Sequence, residues 1–306
     1  MLYLILIISF LITYLTIPAI IKFASKKNLH DVPNGDVLKV HQKPIPHIGG
    51  VGIFLGFFVA SIVGAFVVGE GHGELLGVLA GSLVVLSLGI WDDIKNISPY
   101  LRIAGHTLAA VILLFAGIKV NVIPINYIII PLTIFYVLGS INALNLLDGL
   151  DGLASGVASI ISLGFLILSI NQGNLFGMVL SLALMGAVLG FLPFNFNPAS
   201  IFMGNCGSAF LGYILAVLAI SFTNRPYNIA WFIIPILIMG VPVLDTAFAI
   251  IRRLKNRRPL FIGDRSHIYD QLMDKGGLSV RKTVLVCYGG QGVFVVMGLL
   301  LGMMGG

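Results

Sequence analysis

The chain has 306 residues, of which 58% are apolar and only 10% charged, with a formal net charge of +6 and a mean hydropathy of +1.04. A soluble domain carries roughly a quarter charged residues, so a water-soluble globule is excluded. Two cysteines, Cys206 and Cys287, supply neither a disulfide framework nor a four-ligand zinc site.

Apolar stretches of about 20 residues, each able to cross a ~30 Å hydrocarbon layer, recur along the whole chain. They predict an all-α polytopic membrane protein, one membrane-embedded domain over 1–306. Ten transmembrane helices are expected, near 1–22, 48–68, 75–91, 100–118, 127–145, 153–170, 174–192, 207–223, 228–251 and 283–304. The first run has no basic region before it, and Lys22, Lys26 and Lys27 follow it, the reverse of a secretory signal, so it reads as a retained span. Lys and Arg set orientation: five lie in 22–47, nine in 252–282, and Lys95 and Arg102 lie between the third and fourth spans. Only Lys119 and Arg225 remain for the other side. The basic side is therefore expected to be cytoplasmic, with both termini outside and the protein in the cell (inner) membrane. All ten aspartates fall on the same basic side, while Glu70 and Glu74 fall opposite. Carboxylates steer topology little, so this one-sidedness needs another cause.

In chain order, the first acidic block ends the third span, Gly89-Ile90-Trp91-Asp92-Asp93-Ile94-Lys95-Asn96. Adjacent carboxylates resist joint ionisation, which a divalent cation relieves and which otherwise raises a pKa towards that of a proton acceptor. A pair that is solvated or bonded to Lys95 is the plainer reading of this block alone. The fifth span runs into Asn142, Asn145, Asp148 and Asp151, spaced by three, so that on a continuing helix these side chains are neighbours on a slowly rotating face. Such groups beside lipid cost about 3 kcal/mol per carboxylate unless they line a wet cavity or hold a cation, which favours function. After the seventh span, Asn195-Phe196-Asn197-Pro198-Ala199-Ser200-Ile201-Phe202-Met203-Gly204-Asn205 forms a polar loop able to stack a base and offer amides to its edge. Asp264-Arg265-Ser266-His267-Ile268-Tyr269-Asp270 adds an arginine and a histidine suited to a pyrophosphate. His47, His106 and Asp245 read as helix-packing or interfacial residues.

A transporter would need polar residues through the bilayer midplane, whereas here they gather at one face and no internal repeat is evident. With Lys43-Pro44-Ile45-Pro46-His47-Ile48-Gly49-Gly50, these blocks in this order resemble the polyprenyl-phosphate N-acetylhexosamine-1-phosphate transferase superfamily over nearly the whole chain. The Asp264-Arg265-x-His267-Ile268 element resembles the branch using UDP-GlcNAc-type donors; the phospho-MurNAc-pentapeptide transferases are the alternative.

The resemblance implies a ten-helix membrane fold with a cytoplasmic active-site cleft, and transfer there of a HexNAc 1-phosphate from a UDP-sugar to polyprenyl (undecaprenyl) phosphate, with release of UMP. Magnesium, or manganese in its place, is the implied cofactor. The implied partners are UDP-N-acetylhexosamine, polyprenyl phosphate and membrane lipids, with a homodimer as an assembly to consider and no nucleic acid. Asp92, Asp93, Asp148 and Asp151 match catalytic positions, Asp92 as base. Lys43, Asn145, Asn195, Phe202, Arg265 and His267 match substrate-binding positions, and Asn145, Asn205 and Asp92 match metal positions. Two departures stand out: Asn205 replaces an aspartate that ligates magnesium in the family, and Tyr269-Asp270 replace two histidines. The first implies weaker metal binding or a non-catalytic paralogue, since an amide oxygen lacks charge; Asp270 could return one acidic group.

Overall fold

The structure, a computed structural model, describes residues 2–33, 43–69, 71–122, 125–223, 228–257 and 267–304. In chain order the elements are α1 (Tyr3–Lys26), β1 (His30–Asp31), β2 (Ile45–Pro46), α2 (Gly50–Val68), α3 (His72–Lys95), α4 (Pro99–Phe115), α5 (Asn126–Leu147), α6 (Leu153–Gln172), α7 (Leu175–Asn195), α8 (Gly204–Ser221), α9 (Ala230–Ile238), α10 (Gly240–Lys255), α11 (Ile268–Asp274) and α12 (Val280–Met304). Among the described residues eight helices (α1, α2, α3, α5, α6, α7, α8 and α12) are long and apolar enough to cross a membrane, and α4 is a shorter apolar helix. The protein is an all-α, multi-pass membrane protein. The only strands among the described residues, β1 and β2, pair antiparallel with His30 opposite Pro46 and Asp31 opposite Ile45.

Helix α8 is the axis of the bundle. Every residue from Cys206 to Ile220 is buried, most extensively against α3 and α5 and also against α2, α6 and α7. Lipid tails give apolar helices no reason to prefer one another over solvent, so close packing and interhelical hydrogen bonds must hold such a bundle. Both are present. Ser140 Oγ donates to the Gly212 carbonyl at 2.6 Å and Ser9 Oγ to the Ala183 carbonyl at 2.6 Å. At Gly89 a Cβ would lie 2.3 Å from Cys206 Cα, so α3 and the first turn of α8 touch backbone to backbone. That contact fixes where the next turn of α3, with its two aspartates, meets α8.

The expected ninth span, 228–251, is not one helix. It is the pair α9 and α10, bent by 91°. Pro242 explains the break: it has no N–H for the carbonyl of Ile238, four residues back. The fully buried Gln291 of α12 repairs both exposed ends, its Nε2 donating to the Ile238 carbonyl at 2.7 Å and its Oε1 accepting from Val241 N at 3.1 Å. The bend directs α10 across the bundle to pack against α5. Replacing Gln291 by Leu leaves a buried donor and acceptor without partners. It should cost about 1–3 kcal/mol, read as a lower unfolding midpoint in detergent; an unchanged midpoint would mean that the bend does not depend on this bridge.

Candidate functional site

At the end of the bundle where α3, α5 and α7 finish and α2, α6, α8 and α12 begin, a cavity of about 1140 Å³ opens. Ligand pockets are typically 300–1,000 Å³, so this one admits a ligand of nucleotide-sugar size. Its lining includes Asp31, Lys43, His47, Asp93, Asn145, Asp148, Asp151, Asn195, Asn197, Phe202 and Asn205. A second recess of about 750 Å³ lies at the opposite end, around His72, Glu74, Phe115 and Asn174.

The two adjacent aspartates part company, because successive helical residues point about 100° apart. Asp92 is 2% exposed and lies outside the cavity lining. Its Oδ1 accepts from Ile97 N at 3.0 Å and its Oδ2 lies 3.4 Å from the Arg102 guanidinium, closing the corner between α3 and α4. Asp92, expected as the base, is placed by this geometry at the α3–α4 corner and not in the cavity lining. Asp93 does line the cavity, and its two oxygens accept from Asn205 N at 2.8 Å and Cys206 N at 3.1 Å, the first-turn donors of α8 that no helical carbonyl can satisfy. His47 Nε2 lies 3.1 Å from the Asp93 carbonyl, donating to it.

Helix α5 ends at Leu147, so the ladder spaced by three continues only as far as Asn145. Asn142 is exposed and lies outside the cavity lining. Asp148 and Asp151 stand on the turn into α6. Asp151 Oδ2 accepts from Asn197 Nδ2 at 2.9 Å and Ala199 N at 3.0 Å, which ties down the loop after α7. In that loop Phe202 lines the cavity, with its N–H on the Pro46 carbonyl at 2.7 Å. Asn195 also lines it, but both polar ends of its side chain are used within the protein: Oδ1 accepts from Ser155 Oγ at 2.8 Å and Nδ2 donates to the Ile201 carbonyl at 3.1 Å. Asn195 therefore shapes the wall, and each end of its amide keeps one further hydrogen-bonding position.

Asn145 Nδ2 donates to Asn205 Oδ1 and Ser208 Oγ, both at 3.0 Å. The Asn205 oxygen thus already accepts one amide donor, which leaves it one lone pair. Asp148 is the one aspartate of these four that makes no side-chain hydrogen bond or ion pair among the described residues, and it faces the cavity. Burial first, and then the negative charges of Asp93 and Asp151, push its carboxyl well above the ordinary carboxylate range. No group of three or more His, Cys, Asp or Glu able to hold a metal occurs among the described residues. Magnesium, however, characteristically uses one or two carboxylates and completes its shell with water and substrate phosphates. A crowded carboxylate without a partner beside an amide oxygen fits a hard cation on those terms.

Sequence reasoning passed over Asp245 and His47. Asp245 is 2% exposed on α10 and accepts from Ile268 N at 2.7 Å, while its Oδ2 lies 2.7 Å from His267 Nδ1. The reading of Asp245 as a helix-packing residue is corrected: it seats His267 and the start of α11. An ionisable residue inside an apolar span is itself the clue. His267 stacks on Tyr269, with centroids 5.4 Å apart and planes 6° apart, and is 4% exposed. Asp270 accepts from His267 N at 3.2 Å as part of the helix cap, and so stands away from the cavity lining. Arg265 lies outside the described residues.

The raised carboxyl of Asp148 gives a signed prediction. A carboxyl more basic in the fold than in the unfolded chain stabilises most below its unfolded pKa of about 3.9, and that stability is lost as pH rises through the folded value. Asp148→Asn should therefore raise the unfolding midpoint at neutral pH without divalent cations, by about 0.5–2 kcal/mol, and flatten its fall with pH. A variant less stable than the parent at neutral pH would contradict the crowding.

Comparison with known proteins agrees with this geometry. Residues 75–223, which contain Asp93, Asp148, Asp151 and Asn205, match the family described as glycosyl transferase family 4. The chain is 34% identical over 295 residues to a probable undecaprenyl-phosphate N-acetylglucosaminyl 1-phosphate transferase of Bacillus subtilis, covering 92% of this chain and 81% of the relative. It is 31% identical over 284 residues to a decaprenyl-phosphate N-acetylglucosaminephosphotransferase of Mycobacterium tuberculosis, covering 81% and 70%. A phospho-N-acetylmuramoyl-pentapeptide-transferase of Limosilactobacillus fermentum is 30% identical over 271 residues, covering 82% and 81%. With the membrane bundle, the cavity and its ordered acids in place, the chain belongs to the polyprenyl-phosphate hexosamine-1-phosphate transferases of glycosyl transferase family 4.

Proposed function

We propose that the protein transfers an N-acetylhexosamine 1-phosphate, GlcNAc 1-phosphate in the first instance, from a UDP-sugar to polyprenyl phosphate at the cytoplasmic membrane face, as the initiating step of a cell-envelope glycan. The observation that carries this reading is Asp148, a carboxyl group without a side-chain partner among the described residues, in a large cavity whose rim holds Lys43. The names of the relatives support the reaction class. Orientation is supported by Lys22, Lys26, Lys95, Arg102, Arg252 and Lys255, which belong to helix ends on the cavity side.

In this reading an oxygen of the lipid phosphate attacks the sugar-linked phosphorus of the donor. A new P–O bond forms as the P–O bond to UMP breaks, and UMP leaves with the electron pair. Both reactants are anions, so most of the catalysis available is positioning and charge compensation. Lys43 offsets phosphate charge at the rim. Phe202 offers a ring face to the uracil, and the loop that Asp151 ties down sets the distance from that ring to the acids. Asp93 holds the first turn of α8 at the cavity wall, while Asp148 presents the free carboxylate to the reacting phosphates. Asp148 and Asn145 would hold magnesium, or manganese, whose charge would offset that of the diphosphate.

Purified protein in detergent with polyprenyl phosphate, magnesium and a panel of UDP-sugars, scored by UMP release, tests the proposal. Lipid-dependent UMP is expected from UDP-GlcNAc, lost on chelation and reduced about 10²–10³-fold in Asp148→Asn, as for removal of one charge-stabilising group. Asp92→Asn should act mainly on stability and leave the rate within about tenfold. Release only from UDP-MurNAc-pentapeptide would move the chain to that branch. A second reading, a non-catalytic paralogue, is favoured by one observation: the Asn205 oxygen is engaged by Asn145. No UMP from any donor in the parent, with release gained in Asn205→Asp, would establish it.

A further inference from the structure

The five residues between α5 and α6, 148–152, carry both Asp148 and Asp151, yet the backbone bonds the turn makes within itself are few. Asp148 N donates to the Asn145 carbonyl at 3.3 Å and Leu153 N to the Leu150 carbonyl at 3.0 Å. A turn that carries two neighbouring carboxyl groups, one of them without a side-chain partner among the described residues, has an electrostatic reason to open whenever both are ionised. The last carbonyls of α5 also have no helical donors of their own.

Two tyrosines from distant parts of the chain bond the backbone at the two edges of this turn, one of them at such a carbonyl. Tyr269, on α11, donates its hydroxyl to the Leu146 carbonyl at 3.2 Å, two residues before Asp148. Tyr288, on α12, donates its hydroxyl to the Gly152 carbonyl, one residue after Asp151, as a further donor beside Gly156 N at 3.0 Å and Ser155 Oγ at 3.2 Å, which belong to α6. Each phenol tip occupies a notch that only glycine leaves open: a Cβ on Gly149 would lie 2.2 Å from the Tyr269 hydroxyl, and one on Gly156 would lie 1.9 Å from that of Tyr288. Tyr269 is placed from behind, because Asp245 holds the two residues before it through Ile268 N and His267 Nδ1, each at 2.7 Å. The acid-bearing turn is thus gripped on both flanks by hydroxyls from α11 and α12, and one grip leads back to the bent span.

We propose that Tyr269 and Tyr288 are positioning residues that clamp the backbone on either side of Asp148 and Asp151 and so hold the Asp148 carboxylate where the phosphates react. The assignment rests on the proposed function for its catalytic consequence, and on the geometry alone for its effect on the turn.

The test uses the full-length protein with Tyr269→Phe, Tyr288→Phe and the double variant, which keep the rings and remove only the hydroxyls. Backbone amide exchange across 146–153 should quicken in each variant and most in the double, with the rest of α5 and α6 unchanged. UMP release should show kcat lower by about tenfold for each single variant, with KM for UDP-GlcNAc within about twofold. Placing 4-aminophenylalanine at either position returns a donor to the same ring and should recover kcat. Unchanged exchange across 146–153 would overturn the clamp, whether or not the parent releases UMP. A lowered unfolding midpoint with kcat unaltered would overturn the positioning role and leave the hydroxyls as packing groups. If the parent itself releases no UMP, the proposed function fails, while exchange across 146–153 still decides the clamp.

Discussion

The site depends first on the bond between the Asp93 carboxylate and the opening turn of α8. The first donors of a helix have no partners within it, and in a membrane bundle water is not freely available to serve them. Asp93 takes two of them, Asn205 N and Cys206 N, and a negative charge there is also favoured by the helix dipole. One side chain thereby seats the central helix, sets α3 against it at the Gly89 contact, and brings Asn205 beside Asn145. If Asp93 were displaced, the cavity wall, the amide pair and the axis of the bundle would lose their common reference together.

From that anchor the remaining acids divide by what they already hold. Asp92 is spent on the corner between α3 and α4, and Asp151 on the loop that carries Phe202. Among the described residues Asp148 alone of these four has no side-chain partner, and burial first, then the charges of Asp93 and Asp151, make its carboxyl reluctant to ionise. Lys43 at the rim supplies charge of the opposite sign, where a ligand bearing phosphates would pass between the two.

Much of this was legible in the residues. Hydropathy gave the spans, and the one-sided aspartates gave the end of the bundle at which the cavity lies. The helix break at Gly240-Val241-Pro242 was visible in principle, but a run of apolar residues hides a bend whose loose ends are repaired by Gln291, some fifty residues away. Spacing alone was also unable to tell Asp92 from Asp93. The distinction comes from helix rotation at the contact with α8, a tertiary fact. Continuing the ladder through Asp148 and Asp151 assumed a helix that ends at Leu147. Asp245 was discounted because its partner, His267, arrives from a separate part of the chain.

The central claim is that the acids at the cavity serve a reaction at the sugar-linked phosphorus. It is tested most directly by following that atom. Protein incubated with polyprenyl phosphate and UDP-GlcNAc carrying radioactive phosphorus next to the sugar should deliver the label to the lipid-extractable fraction, with none retained on the protein. Label that stays in the water-soluble donor while the donor is bound would contradict the account, and label fixed covalently to an aspartate would contradict direct attack.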